Sequence, residues 1–96
     1  MFEKLSGVED RFKELEGLLS NPKILQDRAA FQKYAREHAE LNAIVAAFRE
    51  YRQLDGELDE SLELLKDSDP EIKHLAKEEI DRLEQRKQVL EKELKL

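Results

Sequence analysis

A chain of 96 residues that is 42% charged and 6% aromatic, with a net charge of −6, has the composition of long amphipathic helices and room for one domain at most. It contains no cysteine, which excludes disulfides and thiolate chemistry. Its opening Met-Phe-Glu-Lys-Leu-Ser-Gly brings in an acid at once with no apolar run behind it, and no stretch nears the ~18 apolar residues of a membrane span. Neither signal peptide nor anchor is therefore expected, and the expected location is cytoplasmic.

The negative charge disfavours a general polyanion binder, because counterion release needs clustered, uncompensated Lys and Arg. The charge is also uneven. Asp55, Glu57, Asp59, Glu60, Glu63, Asp67, Asp69 and Glu71 face the single base Lys66 across residues 55–71. Beyond Ile72 the two signs nearly balance, so one end of the protein is expected to be strongly acidic.

Residues 2–19 read as the first helix, with Phe2, Leu5, Val8, Phe12, Leu15 and Leu19 as one stripe and Glu9, Arg11, Lys13, Glu14 and Glu16 off it. Ser6 and Glu9 have capping-box spacing, but the periodicity back to Phe2 favours the longer helix. Asn21-Pro22 ends it. Asn21 can cap a short turn with Pro22 in its first position, and Asp27 suits the N-cap of the next helix.

Residues 27–66 form the stretch on which the chain is organised. They contain no proline, and Phe31, Tyr34, His38, Leu41, Val45 and Phe48 recur at steps of three and four. A continuous helix there would be about 60 Å long, which implies an elongated architecture. Past Phe48 the stripe shifts phase: Tyr51 comes after three residues, then Leu54 or Asp55, Leu58, Leu62 and Leu65. Two three-residue steps in a row make a stammer, and Gly56 lies just beyond. The helix is expected either to bend between Tyr51 and Leu58 or to change packing partner there.

Asp67-Ser68-Asp69-Pro70-Glu71 is a helix stop followed by a capped start. A connection of about three residues requires an antiparallel hairpin. The third helix, over 70–95, runs along Ile72, Ala76, Ile80, Leu83, Lys87, Leu90 and Leu94 with Leu75 and Val89 flanking, and Lys87 can lie along the seam with its ammonium in water. The chain stops within a heptad with no C-cap glycine, as a piece of a longer polypeptide would. The fold class expected is all-α: an elongated three-helix bundle, one domain over 1–96, with a long antiparallel helical hairpin.

Catalytic chemistry is not indicated. His38 lies on the apolar stripe and reads as a packing residue. His74 stands in Glu71-Ile72-Lys73-His74, the Glu-x-x-His spacing of carboxylate-bridged metal sites, but the second copy and the further inward glutamates are not recognisable. The acids lie on polar helix faces with no pocket to perturb them, and the isolated Gly7, Gly17 and Gly56 cannot build a phosphate-cradling loop. No catalytic, cofactor or metal residue is expected, and the protein is not expected to be an enzyme. The apolar stripes are expected to be core, and the acidic hairpin tip is a candidate partner surface.

Three segments in order resemble the N-terminal domain of bacterial class I peptide chain release factors. They are Phe2-Glu3-Lys4-Leu5 through Glu14-Leu15-Glu16-Gly17-Leu18-Leu19-Ser20-Asn21-Pro22; Phe31-Gln32-Lys33-Tyr34-Ala35-Arg36-Glu37-His38-Ala39-Glu40-Leu41; and Asp69-Pro70-Glu71-Ile72 with Ala76-Lys77-Glu78-Glu79-Ile80 and Leu90-Glu91-Lys92-Glu93-Leu94. The resemblance implies a helical bundle with a long hairpin, placed ahead of domains that carry a Gly-Gly-Gln motif for peptidyl-tRNA hydrolysis and a Pro-x-Thr motif for reading the stop codon. This sequence has no adjacent glycines and no threonine, so only the accessory role carries over. The implied partners are the stalk base of the large ribosomal subunit and the glutamine methyltransferase of release factors, with a monomer and no direct nucleic-acid contact expected. The alternatives are a free-standing coiled-coil adaptor or chaperone-like dimer, and a tRNA-binding arm, which would need a basic face where this hairpin has an acidic tip.

Overall fold

The computed structural model describes the backbone of residues 2–95 and the side chains of residues 4–95. It contains α1 (Phe2–Leu19), α2 (Pro22–Gln26), α3 (Arg28–Leu64) and α4 (Pro70–Leu94). The three long helices follow the sequence periodicity, α1 in its longer version. The Asn21-Pro22 corner is itself a five-residue helix. The side chain of Phe2, expected to open the α1 stripe, lies outside the described residues.

The boundaries are set by caps. Asn21 Oδ1 accepts from Lys23 N–H at 2.9 Å, with Pro22 in the first turn of α2, where its missing donor costs nothing. Asp27 Oδ1 accepts from Ala30 N–H at 3.1 Å and starts α3. At the second proline, Asp67 Oδ1 accepts from Asp69 N–H at 2.8 Å and Asp69 Oδ1 from Glu71 N–H at 2.9 Å. Two aspartates in series thus close the turn and open α4. Lys95, at φ 59°, caps its far end by donating its N–H to the Glu91 and Lys92 carbonyls.

The chain forms two compact units, residues 1–46 and 47–96. In the first, Leu5, Phe12, Leu15 and Val45 are buried. His38 stacks on Phe12 with ring centroids 4.2 Å apart and planes 17° apart, so it is a packing residue as its position on the stripe implied. Arg11 donates from Nε and Nη2 to both carboxylate oxygens of Glu37, at 2.8 and 2.7 Å, and its guanidinium lies 5.9 Å from the Tyr34 ring. That clamp joins α1 to α3 with the planar geometry only arginine offers.

One expectation for α1 is corrected. Glu9 is buried at 7% exposure instead of lying off the stripe. It follows Leu5 by four residues and precedes Phe12 by three, which puts its stem among the apolar side chains. Its carboxylate reaches Lys13 Nζ at 3.6 Å.

In the second unit α3 runs unbroken through Tyr51–Leu58. Tyr51, Leu54 and Leu58 pack with Leu83 and Leu90 of α4, and Ala47, Ile80 and Leu94 close around them. Tyr51 reaches Glu91 and, further along α3, Asp55 reaches Lys87, so the two helices run antiparallel. The phase shift after Phe48 therefore coincides with a change of packing partner, to α4. Leu54, not Asp55, takes the seam. The next seam position is Ser61, at 6% exposure, and not Leu62, which is 49% exposed. Steps of three and four from Leu58 lead to Ser61 and Leu65, and the small serine lets α4 approach near the turn.

Candidate partner surface on the hairpin

The surface-facing residues of the hairpin fall into three sets. The first ties the helices together. Arg86 donates to both oxygens of Glu50, from Nε at 2.7 Å and Nη2 at 2.8 Å. Tyr51 Oη donates to Glu91 Oε1 at 3.1 Å. Lys87 Nζ sits 2.6 Å from Asp55 Oδ1 and 5.2 Å from the Tyr51 ring centroid. Lys87 lies along the seam as expected, but its ammonium is held by a carboxylate and an aromatic face instead of water.

These contacts shift ionisation in directions that follow from geometry. The hydrogen bond from Arg86 holds Glu50 below the usual carboxylate range, against some desolvation. The bond to Asp55 raises Lys87. Burial first, and then the bond to Glu91, raises Tyr51. All three groups keep the charge state they have at neutral pH. The arrangement holds α3 and α4 in register.

The second set is the acidic tip. Asp59, Glu60, Glu63, Asp69 and Glu71 are exposed, Asp67 and Asp69 serve the turn as caps, and Glu63 pairs with Lys66 at 3.0 Å. Asp59 and Glu60 stand on the solvent face of α3, where a charge acts on partners and not on the fold. His74 is exposed and lies 3.0 Å from Glu78 Oε1, one turn further along α4, not against Glu71. Among the described residues no group of three potential ligands could hold a metal ion.

The third set was not anticipated from the sequence. Leu64, Leu75 and Val89 are 48%, 58% and 46% exposed. Leu64 and Leu75 line a groove with Ser61, Ile72 and Ala76, and Val89 lines a second depression with Gln53, Leu54 and Glu57. Arg82, held by Glu79, belongs to both. The available signal was the seven-residue spacing of Leu75, Arg82 and Val89, a second heptad line beside the seam.

No helix is long and apolar enough to cross a membrane, among the described residues. The sequence pattern of the PCRF domain matches residues 8–96. The chain is 58% identical over 96 residues to peptide chain release factor 1 of Desulfatibacillum aliphaticivorans, covering 100% of this chain and 27% of that protein. It is 47% identical over 96 residues to peptide chain release factor 1 of Oleidesulfovibrio alaskensis, again over 100% and 27%. With peptide chain release factor 1 of Thermus thermophilus the identity is 42% over 94 residues, covering 98% and 26%. The chain thus spans about a quarter of the length of the curated relatives it matches. No solved structure gives a significant match. With nearly all of its length matched, including both capped proline corners and the whole hairpin, the chain belongs to the PCRF domain family.

Proposed function

We propose that this chain is a non-catalytic, monomeric domain, N-terminal in a longer cytoplasmic translation termination factor. In this reading it positions that factor on the ribosome for stop-codon-dependent release of the nascent peptide. The observation that carries the reading is the PCRF domain match, joined to full-length similarity with proteins named peptide chain release factor 1. The sequence supports the non-catalytic half of the proposal: without threonine or adjacent glycines, neither Pro-x-Thr nor Gly-Gly-Gln can occur in it. The partners proposed are the stalk base of the large ribosomal subunit and the methyltransferase that modifies release factors. The acidic tip supports a steering role, because exposed carboxylates accelerate encounter with a basic surface and lose that effect in salt.

Pelleting the chain with 70S ribosomes tests the proposal, alongside a peptide-release assay on stop-codon complexes. The chain should sediment with ribosomes and release no peptide. Absence from the pellet, or release by the chain alone, would overturn it.

A further inference from the structure

We propose that the cleft along one side of the α3/α4 hairpin, from Leu64 and Leu75 to Val89, seats an amphipathic basic helix of another protein. The proposal does not rest on the family reading, since cleft and charge belong to the hairpin alone.

α4 has two apolar edges and α3 covers one of them. Ala76, Leu83 and Leu90 are buried, whereas Leu75 and Val89 stand exposed on the flank. The groove beside Leu75 has a volume of about 670 Å³ and is mostly walled by Leu64, Ile72, Leu75 and Ala76. Arg82 lines both this groove and the depression at Leu54 and Val89, which lies next along the same flank. From Leu75 to Val89 the cleft runs about 21 Å, the length of a four-turn helix. Two helices side by side with a line of exposed apolar residues between them present the groove that a third helix fills, through anchors at steps of three and four.

Charge selects the occupant. The cleft's two arginines are already engaged, Arg86 by Glu50 and Arg82 by Glu79, so they offer little to an acidic partner. Glu57 and Glu78 also line it, so its four glutamates, Glu50, Glu57, Glu78 and Glu79, outnumber the two arginines. The tip beyond adds the exposed Asp59, Glu60 and Glu63, with Lys66 as the single base of residues 55–71. A second copy of this chain, at net charge −6, would set like charge against like, and an anionic lipid surface would do the same. A helix with Leu or Ile on one face and Lys or Arg flanking it satisfies both features.

The test uses a fluorescent synthetic peptide of leucine and lysine with leucines at helical spacing, measured by anisotropy. A scrambled peptide of the same composition and one with glutamate for lysine serve as controls. Leu75→Gln or Leu64→Gln should each weaken binding about ten-fold while circular dichroism stays unchanged. Leu62→Gln, exposed but outside the cleft, should leave it as it was. Equal binding of the scrambled peptide, or equal losses at Leu62 and Leu75, would reduce the interaction to charge attraction and overturn the proposal. So would dimerisation in sedimentation that Leu75→Gln abolishes, which would make a second copy the occupant.

Discussion

The hairpin core makes a sharp prediction, because two leucines eight residues apart on α4 have opposite environments. Leu83 is 0% exposed among Tyr51, Leu54, Leu58 and Leu90, and Leu75 is 58% exposed. Truncating Leu83 to alanine removes three buried carbons from a site walled by large side chains on both helices, which have little freedom to collapse into the space. The expected cost is roughly 3 kcal/mol, from lost transfer energy plus a residual cavity. For a chain of this size that lowers Tm by about 10–20 °C. Leu75→Ala deletes the same atoms from a surface position with good helix propensity, and should change stability by no more than about 0.5 kcal/mol. Thermal melts followed by circular dichroism measure both. Equal shifts would refute the assigned seam.

Other predictions follow from the caps, the ion pairs and the tip. Asp69→Ala removes the acceptor for Glu71 N–H and should cost about 1 kcal/mol, restored by Asp69→Ser; a melt unchanged in the alanine variant would remove the cap from the account. Glu37 and Glu50 are held below the usual carboxylate range, first by hydrogen bonds from Arg11 and Arg86. Their contribution is complete above the ordinary carboxylate pKa of ~4.3 and is lost as pH falls through the depressed folded values. Stability should therefore decline on acidification below ~4, modestly because both pairs are partly open to solvent, and less steeply in Glu50→Gln; identical acid limbs would contradict this. Tyr51 is raised by burial, so its contribution is complete below ~10 and is lost as pH rises through the folded value. A tyrosinate absorbance titration should lose its late component in Tyr51→Phe. Reversing Asp59, Glu60 and Glu63 to lysine should slow association with ribosomes and flatten its salt dependence, and an unchanged on-rate would remove the steering role.

Most of this architecture was legible because helical periodicity and proline-marked caps are local signals. Asn21-Pro22 and Asp69-Pro70 fixed the corners, and the line Ala76, Leu83, Leu90 gave the α4 seam. What was not legible depends on which of two neighbouring apolar residues faces a partner. Leu62 and Leu65 both fit a stripe, and only the approach of α4 at Ser61 shows which one turns outward. The apolar periodicity leaves Glu9 off the stripe, although its spacing from Leu5 and Phe12 makes it a neighbour of both. The pairs Arg11–Glu37, Glu50–Arg86 and Asp55–Lys87 join residues far apart in sequence, and no local pattern picks each partner out of so many charged residues. The cleft at Leu75 and Val89 went unread for a related reason: flanking apolar residues count as core until the hairpin shows that nothing in it covers them.

The central claim is that this chain is the accessory domain of a termination factor whose chemistry lies elsewhere in the same polypeptide. The most direct measurement is the nucleotide sequence of the reading frame past Leu96. The account predicts an open frame encoding Pro-x-Thr and Gly-Gly-Gln further on. A stop codon immediately after Leu96 would contradict it, and would leave a free-standing helical adaptor as the reading to pursue.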